Sequence, residues 1–226
     1  MNISIPKITL ALIQSSDPQT LNSALQILLI LTVLSLAPSI VIMVTSFTRI
    51  IIVLGFIRNA LGTQQTPPTQ VLVGIALFLT FFIMSPIIDK INVEAIQPYT
   101  AKQISQTVAI ERGIEPLREF MFKQTRKKDL LLFVKYANLT PKSKADIPTH
   151  VLIISFVLSE LKTAFQMGFV IFIPFLIVDI TIATILMSMG MMMLPPVMIS
   201  LPFKILLFIL VDGWNLIAAS LLMSYK

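Results

Sequence analysis

The architecture of this chain depends on the stretch VLIISFVLSELKTAFQMGFVIFIPFLIVDITIATILMSMGMMML, residues 151–194. Its charged residues are Glu160, Lys162 and Asp179, and it contains one proline, Pro174. A helix needs about 20 apolar residues to cross the hydrocarbon core of a bilayer. A helix over the whole stretch, rising about 1.5 Å per residue, would be roughly twice that length. The stretch therefore predicts a membrane protein built on one very long, kinked helix.

The composition of the chain supports the membrane class. Of its 226 residues, 56% are hydrophobic and 12% are charged, whereas a soluble domain carries about 25% charged residues. The chain has no cysteine, which excludes disulfides, thiolate metal sites and cysteine nucleophiles. The net charge is +6, and residues 89–150 contain 11 basic and 7 acidic side chains. This mixture favours a solvated surface over specific binding of phosphate or lipid headgroups.

A second long apolar segment precedes the polar region. Residues 20–61 carry no acid and predict one kinked helix with Pro38 inside it. Pro67 and Pro68 mark a turn, and residues 71–88 predict a shorter helix that ends at Pro86 and Asp89. Residues 20–89 therefore predict a helical hairpin.

Residues 149–226 predict a second hairpin with the same arrangement. The long helix over 151–194 is followed by a turn at Pro195 and Pro196 and by a last helix over 197–223. The polar residues 90–148 predict short amphipathic helices near 104–123 and 128–138, interrupted or capped at Pro116, Pro141 and Pro148. We therefore predict an all-α, integral membrane-type protein of two long kinked helical hairpins (20–89 and 149–226) with a small helical insert (90–148).

The N-terminal segment, residues 1–19, does not have the form of a secretory leader. Lys7 is followed by a short apolar patch at residues 8–13 and then by polar residues. A leader requires a longer apolar region and a cleavage site of small residues. Either the first membrane helix is the insertion signal, which Met1 favours, or a leader has already been removed.

Charged residues inside the apolar segments are the strongest candidates for function, because a charge in a membrane helix is costly unless it has a partner. They are Glu160, Lys162, Asp179, Lys204 and Asp212, with Arg49 and Arg58 beside the first hairpin turn. Asp179 and Lys204 lie across the second hairpin and predict an ion pair, within one chain or between copies. A proton relay through Asp179, Glu160 and Asp212 is the alternative.

Six methionines cluster around the second hairpin turn: Met187, Met189, Met191, Met192, Met193 and Met198. Methionine is unbranched and adaptable, so it fills irregular gaps in a core. Gly190 and the two following prolines do not suit a packed helix. Flexible core filling and a deformable apolar ring around a pore both remain open on this evidence.

Catalytic and cofactor motifs are not found in this sequence. His150 follows Pro148 at a predicted helix start and is interpreted as a boundary residue. We find no glycine-rich phosphate loop, serine elbow or metal-ligand spacing. The sequence predicts no enzymatic activity, no cofactor and no metal site.

Four blocks of the sequence resemble the FliP family, whose counterparts in virulence secretion systems are called SctR. The blocks are TSFTRIIIVLGFIRNALGTQQTPPTQVL (45–72), ALFLTFFIMSPIIDK (76–90), SELKTAFQMGFVIFIPFLIVD (159–179) and MGMMMLPPVMISLPFKILLFILVDGW (189–214). Together they cover 90 residues. Residues 90–148 are similar to the periplasmic region of that family.

The resemblance implies a core subunit of the flagellar type III protein export gate in the bacterial inner membrane, at the basal body of the flagellum. It implies a homo-oligomer, with five copies expected, that assembles with FliQ and FliR near FlhB and FlhA and passes unfolded flagellar proteins. It also implies that Met191, Met192 and Met193, flanked by Met187 and Met189, form a gasket in the channel. Asp179 and Lys204 are implied to pair between adjacent subunits.

Two further interpretations depend on charge. The basic segment 89–150 would lie in the cytoplasm by a simple count of positive charges, but that rule weakens for loops longer than about 60 residues. The connection 48–70, with Arg49, Arg58 and no acid, agrees with a periplasmic insert.

An ion-coupled secondary transporter that uses Asp179 and Glu160 is the alternative function.

Overall fold

The computed structural model describes residues 18–63, 65–191 and 194–225, so residues 1–17 of the N-terminal segment lie outside it. All regular secondary structure in these ranges is helical, which confirms the all-α prediction. The helices are α1 (Pro18–Val44), α2 (Phe47–Leu61), α3 (Thr69–Ile91), α4 (Gln106–Gln124), α5 (Lys127–Tyr136), α6 (Thr149–Ser188), α7 (Pro196–Leu210) and α8 (Gly213–Met223).

The prediction of one kinked helix over residues 20–61 is wrong. The chain divides into two units after Ile42, and α1 is described by itself. Its parts Leu25–Leu36 and Pro38–Val44 meet at 44°, because a proline removes a helical hydrogen bond and its ring presses on the preceding turn. The helix then ends at Val44. The hydroxyl of Thr45 accepts from the backbone N–H of Phe47 at 3.4 Å, and this local bond competes with continuation of the helix.

The main core forms where α2 packs against α6. One face of α2 is fully buried and consists of Ile50, Val53, Leu54, Ile57 and Ala60. It meets Ala164 and Phe175 of α6, with contributions from α3, α7 and α8. At the closest approach the ring of Phe56 lies over Gly168, where a Cβ atom would be 2.4 Å from Phe56 Cδ2.

The third helix extends well beyond its predicted end. It runs through Pro86 to Ile91 and continues through a π-helical turn (Asn92–Ile96) and a last α-helical turn (Gln97–Thr100). The insert supports this extension, because a Cβ on Gly113 of α4 would lie 3.6 Å from Ala95 Cβ. A proline inside a long apolar helix is tolerated when neighbouring elements hold the helix in place.

The insert confirms both predicted amphipathic helices to within about two residues at most ends. Pro116 is buried inside α4 and does not interrupt it. α5 packs antiparallel on the first half of α6: Arg126 Nη2 donates to Thr163 Oγ1 at 3.0 Å. One turn further along α5, Asp129 Oδ2 accepts from Ser159 Oγ at 2.8 Å.

The long helix predicted over 151–194 is confirmed, with 40 residues and Pro174 inside it, but it ends at Ser188. By length and composition alone, two helices of the described residues could cross a membrane, Thr69–Thr100 and Thr149–Ser188. The number rises to four if each bent helix pair is counted as one span. These helices are the candidate membrane-spanning elements of the fold.

The prediction of a single last helix over 197–223 is wrong. α7 ends at Leu210, α8 begins at Gly213, and the two helices meet at 63°. Asp212 between them has a φ of +50°, in the left-handed region that interrupts a helix. The ring of Phe208 fits against Gly213, where a Cβ would be 2.3 Å from Phe208 Cε2. A larger residue at this position would block the bend.

We predict that Gly168→Ala destabilises the chain by about 1–3 kcal/mol, because its methyl group overpacks the contact with Phe56. Gly74→Ala is the matched control, since nothing lies within 4 Å of a Cβ at that helical position. Alanine at position 74 should be neutral or stabilising by up to about 1 kcal/mol. Thermal unfolding of both variants in one detergent measures the difference. A Gly168→Ala variant as stable as the control would contradict the packing of α2 on α6.

Candidate functional site

A buried ion pair joins α2 to α6. Arg49 is 2% exposed and Glu160 is fully buried. Arg49 Nε donates to Glu160 Oε2 at 2.9 Å, and Arg49 Nη2 donates to Glu160 Oε1. This two-point contact is the geometry that a guanidinium and a carboxylate prefer.

The remaining donors of Arg49 bind the last residue of α4 and the residue that follows α8. Nη1 donates to the carbonyl oxygen and the hydroxyl of Ser224, each at 3.0 Å, and Nη2 also donates to Gln124 Oε1 at 3.2 Å. A buried charge is costly unless its hydrogen-bonding groups are satisfied. Arg49 meets that condition by contacting three distant parts of the chain.

Tyr225 closes this cluster from the other side. Its hydroxyl donates to Glu160 Oε2 at 2.6 Å, and its ring lies 3.9 Å from Arg49 Cζ and stacks on Phe120 with centroids 6.0 Å apart. Burial, together with the negative charge of Glu160, raises the pKa of Tyr225 far above its usual value. The phenol therefore stays protonated and acts as a hydrogen-bond donor. We name Arg49, Glu160, Tyr225, Ser224 and Gln124 the arginine cluster.

Glu160 is recognised from the sequence as a candidate, but its partners are not. The sequence places Arg49 beside the first hairpin turn without indicating a partner for it and gives no signal for Tyr225. The structure supplies the missing partner, because Arg49 pairs with Glu160 across 111 positions of the sequence. The sequence signal that could have indicated a distant partner is that Arg49 lies in an apolar segment with no acid nearby.

The second ion pair lies between α6 and α7. Lys204 Nζ is 2.5 Å from Asp179 Oδ2, and Ser200 Oγ donates to the other carboxylate oxygen. Lys204 is 3% exposed, whereas the Asp179 side chain is 25% exposed. Lys204 Nζ also lies close to Gly62, where α2 ends: a Cβ atom at that glycine would be 3.8 Å away. A cation at a helix C-terminus is favourable. The predicted partners thus meet within one chain.

The methionine turn is described only in part, because Met192 and Met193 lie outside the described residues. Met187, Met189 and Met191 are all exposed, and so is Met198 on the far side of the turn. Gly190 has a φ of +76° with open space around it. A left-handed conformation does not continue a helix, and the exposed methionines are not part of the chain's own core.

The other charged candidates are at the surface. Lys162 is exposed, and Asp212 is exposed and accepts from Asn215 Nδ2 at 3.1 Å. Asp179, Glu160 and Asp212, the three carboxylates of the proton-relay hypothesis, therefore each bind a different partner. Within the described ranges, no group of three or more His, Asp or Glu side chains could hold a metal ion.

Comparison with known proteins gives one consistent result. The sequence model of the FliP family matches residues 30–221. The chain is 59% identical over 212 residues to the flagellar biosynthetic protein FliP of Bacillus subtilis, covering 93% of this chain and 96% of that protein. It is 54% identical to FliP of Pectobacterium carotovorum (92% and 81% covered) and 51% identical to FliP of Aquifex aeolicus (90% and 86% covered).

We predict strong energetic coupling inside the arginine cluster. Glu160→Gln leaves the buried cation of Arg49 without a counter-charge, and Arg49→Gln leaves the buried anion of Glu160 without one. Each change should therefore lower the free energy of unfolding by about 3–5 kcal/mol. The double variant should cost less than the sum of the two by about 1–3 kcal/mol. Unfolding of the four proteins in one detergent measures the coupling.

The control is the exposed pair Lys90–Glu119, whose side chains are 56% and 61% exposed and 3.2 Å apart. The same cycle of glutamine substitutions there should give a coupling of about 0–1 kcal/mol. Equal coupling at the two pairs would contradict the burial of the arginine cluster.

Proposed function

The chain belongs to the FliP family of flagellar biosynthetic proteins, and on that basis we propose that copies of it build the wall of a channel for protein export. Membership in the family makes the chain a non-enzymatic component of the flagellar export apparatus in the inner membrane. The ion-coupled transporter, the alternative function from the sequence, is therefore dropped.

The proposal rests on the large apolar surface that the chain leaves uncovered. On α3, Phe78 is 81% exposed, and Phe81 and Phe82 are similarly open. On α6, Phe169 and Val170 are both 64% exposed. A soluble monomer does not present so many large apolar side chains, so these faces must meet lipid or other subunits.

We propose that the neighbours are further copies of this chain, with five in the ring, and the export proteins FliQ and FliR. FlhB and FlhA are proposed to lie close to the assembly, and unfolded flagellar proteins are its substrates. The length of α6 supports a protein environment, since 40 residues span about 60 Å, roughly twice the membrane core. Half of such a helix needs cover other than lipid.

The segments are assigned accordingly. Within the unit that begins at Met43, α2 and α3 form the first hairpin and residues 149–226 form the second. Residues 90–148 are proposed as a periplasmic insert, and residues 1–19 and α1 precede them in the sequence. The packing of α5 on α6 through Ser159 supports one continuous body of insert and second hairpin. The periplasmic location is proposed from the family resemblance, and the connection 48–70, with two arginines and no acid, agrees with it.

The methionine turn is proposed as the gasket of the channel. The three methionines at residues 191–193 have soft, unbranched side chains, which adapt to a polypeptide that passes through the channel. They close the channel again when it is empty. The open surroundings of Gly190 and the exposure of Met187 and Met189 support a role directed away from the chain's own core.

The ion pair is proposed to act between copies as well as within one. Its carboxylate is the exposed partner, because Asp179 keeps a quarter of its side chain open while Lys204 is buried. A cation of the neighbouring copy can therefore approach Asp179 without displacing Lys204 from the end of α2. The pair would then link the position of α7 in one copy to the next copy.

We predict that deletion of Met191–Met193 makes the membrane leak small ions, because a shortened turn no longer closes the channel. Replacing the same three residues by leucine is the matched control, since length and apolar character are kept and swaps of similar volume cost little. Ion flux across membrane vesicles and secretion of flagellar subunits are measured together. A tight membrane and normal secretion after the deletion would remove the gasket assignment.

We also predict that Asp179→Ala and Lys204→Ala each reduce the assembled fraction of the protein, because each leaves the other charge unpaired in an apolar setting. The exposed helical residues Asp89 and Lys162 provide controls, and alanine there should leave assembly within about twofold of normal. Native gel electrophoresis of detergent extracts measures the assembled fraction. Full assembly of both pair variants would show that the pair does not link copies.

A further inference from the structure

Half of the residues in the methionine turn, residues 187–198, are methionines. The segment contains no charged residue, and Ser188 is its one polar side chain. The nearest charges along the chain are Asp179 before the turn and Lys204 after it. The apolar character of this segment therefore depends mainly on thioether groups.

The thioethers that the structure describes in this turn are open. Met189 is 67% exposed and Met198 is 68% exposed, and Met187 and Met191 are exposed as well. None of these four side chains belongs to a hydrophobic cluster of the described residues. Packing within the chain therefore does not explain why these positions carry methionine.

Two other methionines of the same chain have the opposite environment. Met84 of α3 is 3% exposed and Met121 of α4 is 1% exposed. Both pack in the cluster that contains Leu152 and Phe156 of α6. A reagent that reaches sulfur from solution should therefore distinguish the methionine turn from these two residues.

Peroxides are reagents of this kind. A lone pair of the methionine sulfur attacks one oxygen of hydrogen peroxide, so that an S–O bond forms and the O–O bond breaks. The sulfur loses two electrons, and the departing hydroxide takes the proton of the transferred oxygen and becomes water. The product is methionine sulfoxide, which is polar and which dedicated reductases convert back to methionine.

We propose that the methionine turn is a reversible oxidation site, at which peroxides convert the exposed thioethers to sulfoxides and thereby open the closed channel to water and ions. This role rests on the gasket function proposed above and adds a means of regulating it. An apolar constriction blocks ions because water does not wet it. Sulfoxide groups accept hydrogen bonds from water, so an oxidised constriction would hold water.

The composition of the chain directs the oxidant to methionine. Thiolates react readily with peroxides, but the chain has no cysteine. Exposed methionines also occur outside the turn, at Met43 and Met223. Oxidation of these two residues should not affect closure, because they do not belong to the gasket.

The first measurement locates the oxidation. Membrane vesicles that contain the assembled full-length protein are treated with hydrogen peroxide, and the sulfoxide fraction at each methionine is followed by peptide mass spectrometry. The methionines of the turn should be oxidised at least about tenfold faster than Met84 and Met121. Equal rates at the turn and at the two buried residues would overturn the proposal.

The second measurement follows ion flux across the same vesicles, and each protein is compared with itself before and after peroxide. The flux of the wild-type protein should rise at least about threefold, because a polar constriction is wetted. Reductases for the two sulfoxide epimers should then restore the original flux. This reversal tests the proposal on the wild-type protein, without any substitution.

Two variants separate the turn from the rest of the chain. The turn variant has leucine at all six methionines of the segment: Met187→Leu, Met189→Leu, Met191→Leu, Met192→Leu, Met193→Leu and Met198→Leu. It has no sulfur to oxidise there, so peroxide should change its flux by less than about 1.5-fold. The matched control Met43→Leu, Met223→Leu removes exposed sulfur outside the turn and should keep the wild-type response.

Two flux results would contradict this role of the turn. An equal rise of flux in the wild-type protein and the turn variant would assign the leak to another component of the vesicles. Complete oxidation of the turn without a rise in flux would show that sulfoxides do not open the channel. Either result leaves the gasket in place if deletion of Met191–Met193 causes a leak, whereas a tight membrane after that deletion removes the gasket and its regulation together.

Discussion

The apolar surface that this chain cannot cover with its own residues constrains the rest of the structure. Phenylalanines on α3 and α6 remain open, and their exposure to water would be unfavourable. Charge cannot be placed on such a surface without large cost. The charges that the fold keeps near it are therefore turned inward, as an arginine with a glutamate and an aspartate with a lysine. We propose that subunit neighbours and lipid supply the remaining cover.

The two buried pairs have different consequences because they have different surroundings. Arg49 and Glu160 are enclosed by Tyr225, Ser224 and Gln124, so the cluster ties α2, α6, the insert and the chain end together. The pair between α6 and α7 has fewer partners and is partly open. Buried ion pairs contribute little net stability but penalise wrong arrangements. The first pair is suited to fixing the fold, and the second to contact with a neighbouring copy.

Most of the fold follows from the order of apolar and polar segments. The length of α6 and the helices of the insert can be predicted because charge and periodicity are local signals. The break at Asp212 cannot, because it depends on the ring of Phe208 against Gly213, a contact that spacing does not reveal. The pairing of Arg49 with Glu160 joins residues 111 positions apart, and the end of the chain contributes only through that long-range packing.

Copies of the chain are proposed to cover each other's apolar faces, and the native mass of the wild-type protein tests this. The protein is extracted in a mild detergent and measured with and without its neighbouring export proteins. We expect a discrete assembly of five copies. In this assembly the exposed phenylalanines of α3 and α6 are protected from labelling. A stable monomer with those side chains fully accessible would contradict the proposed channel wall.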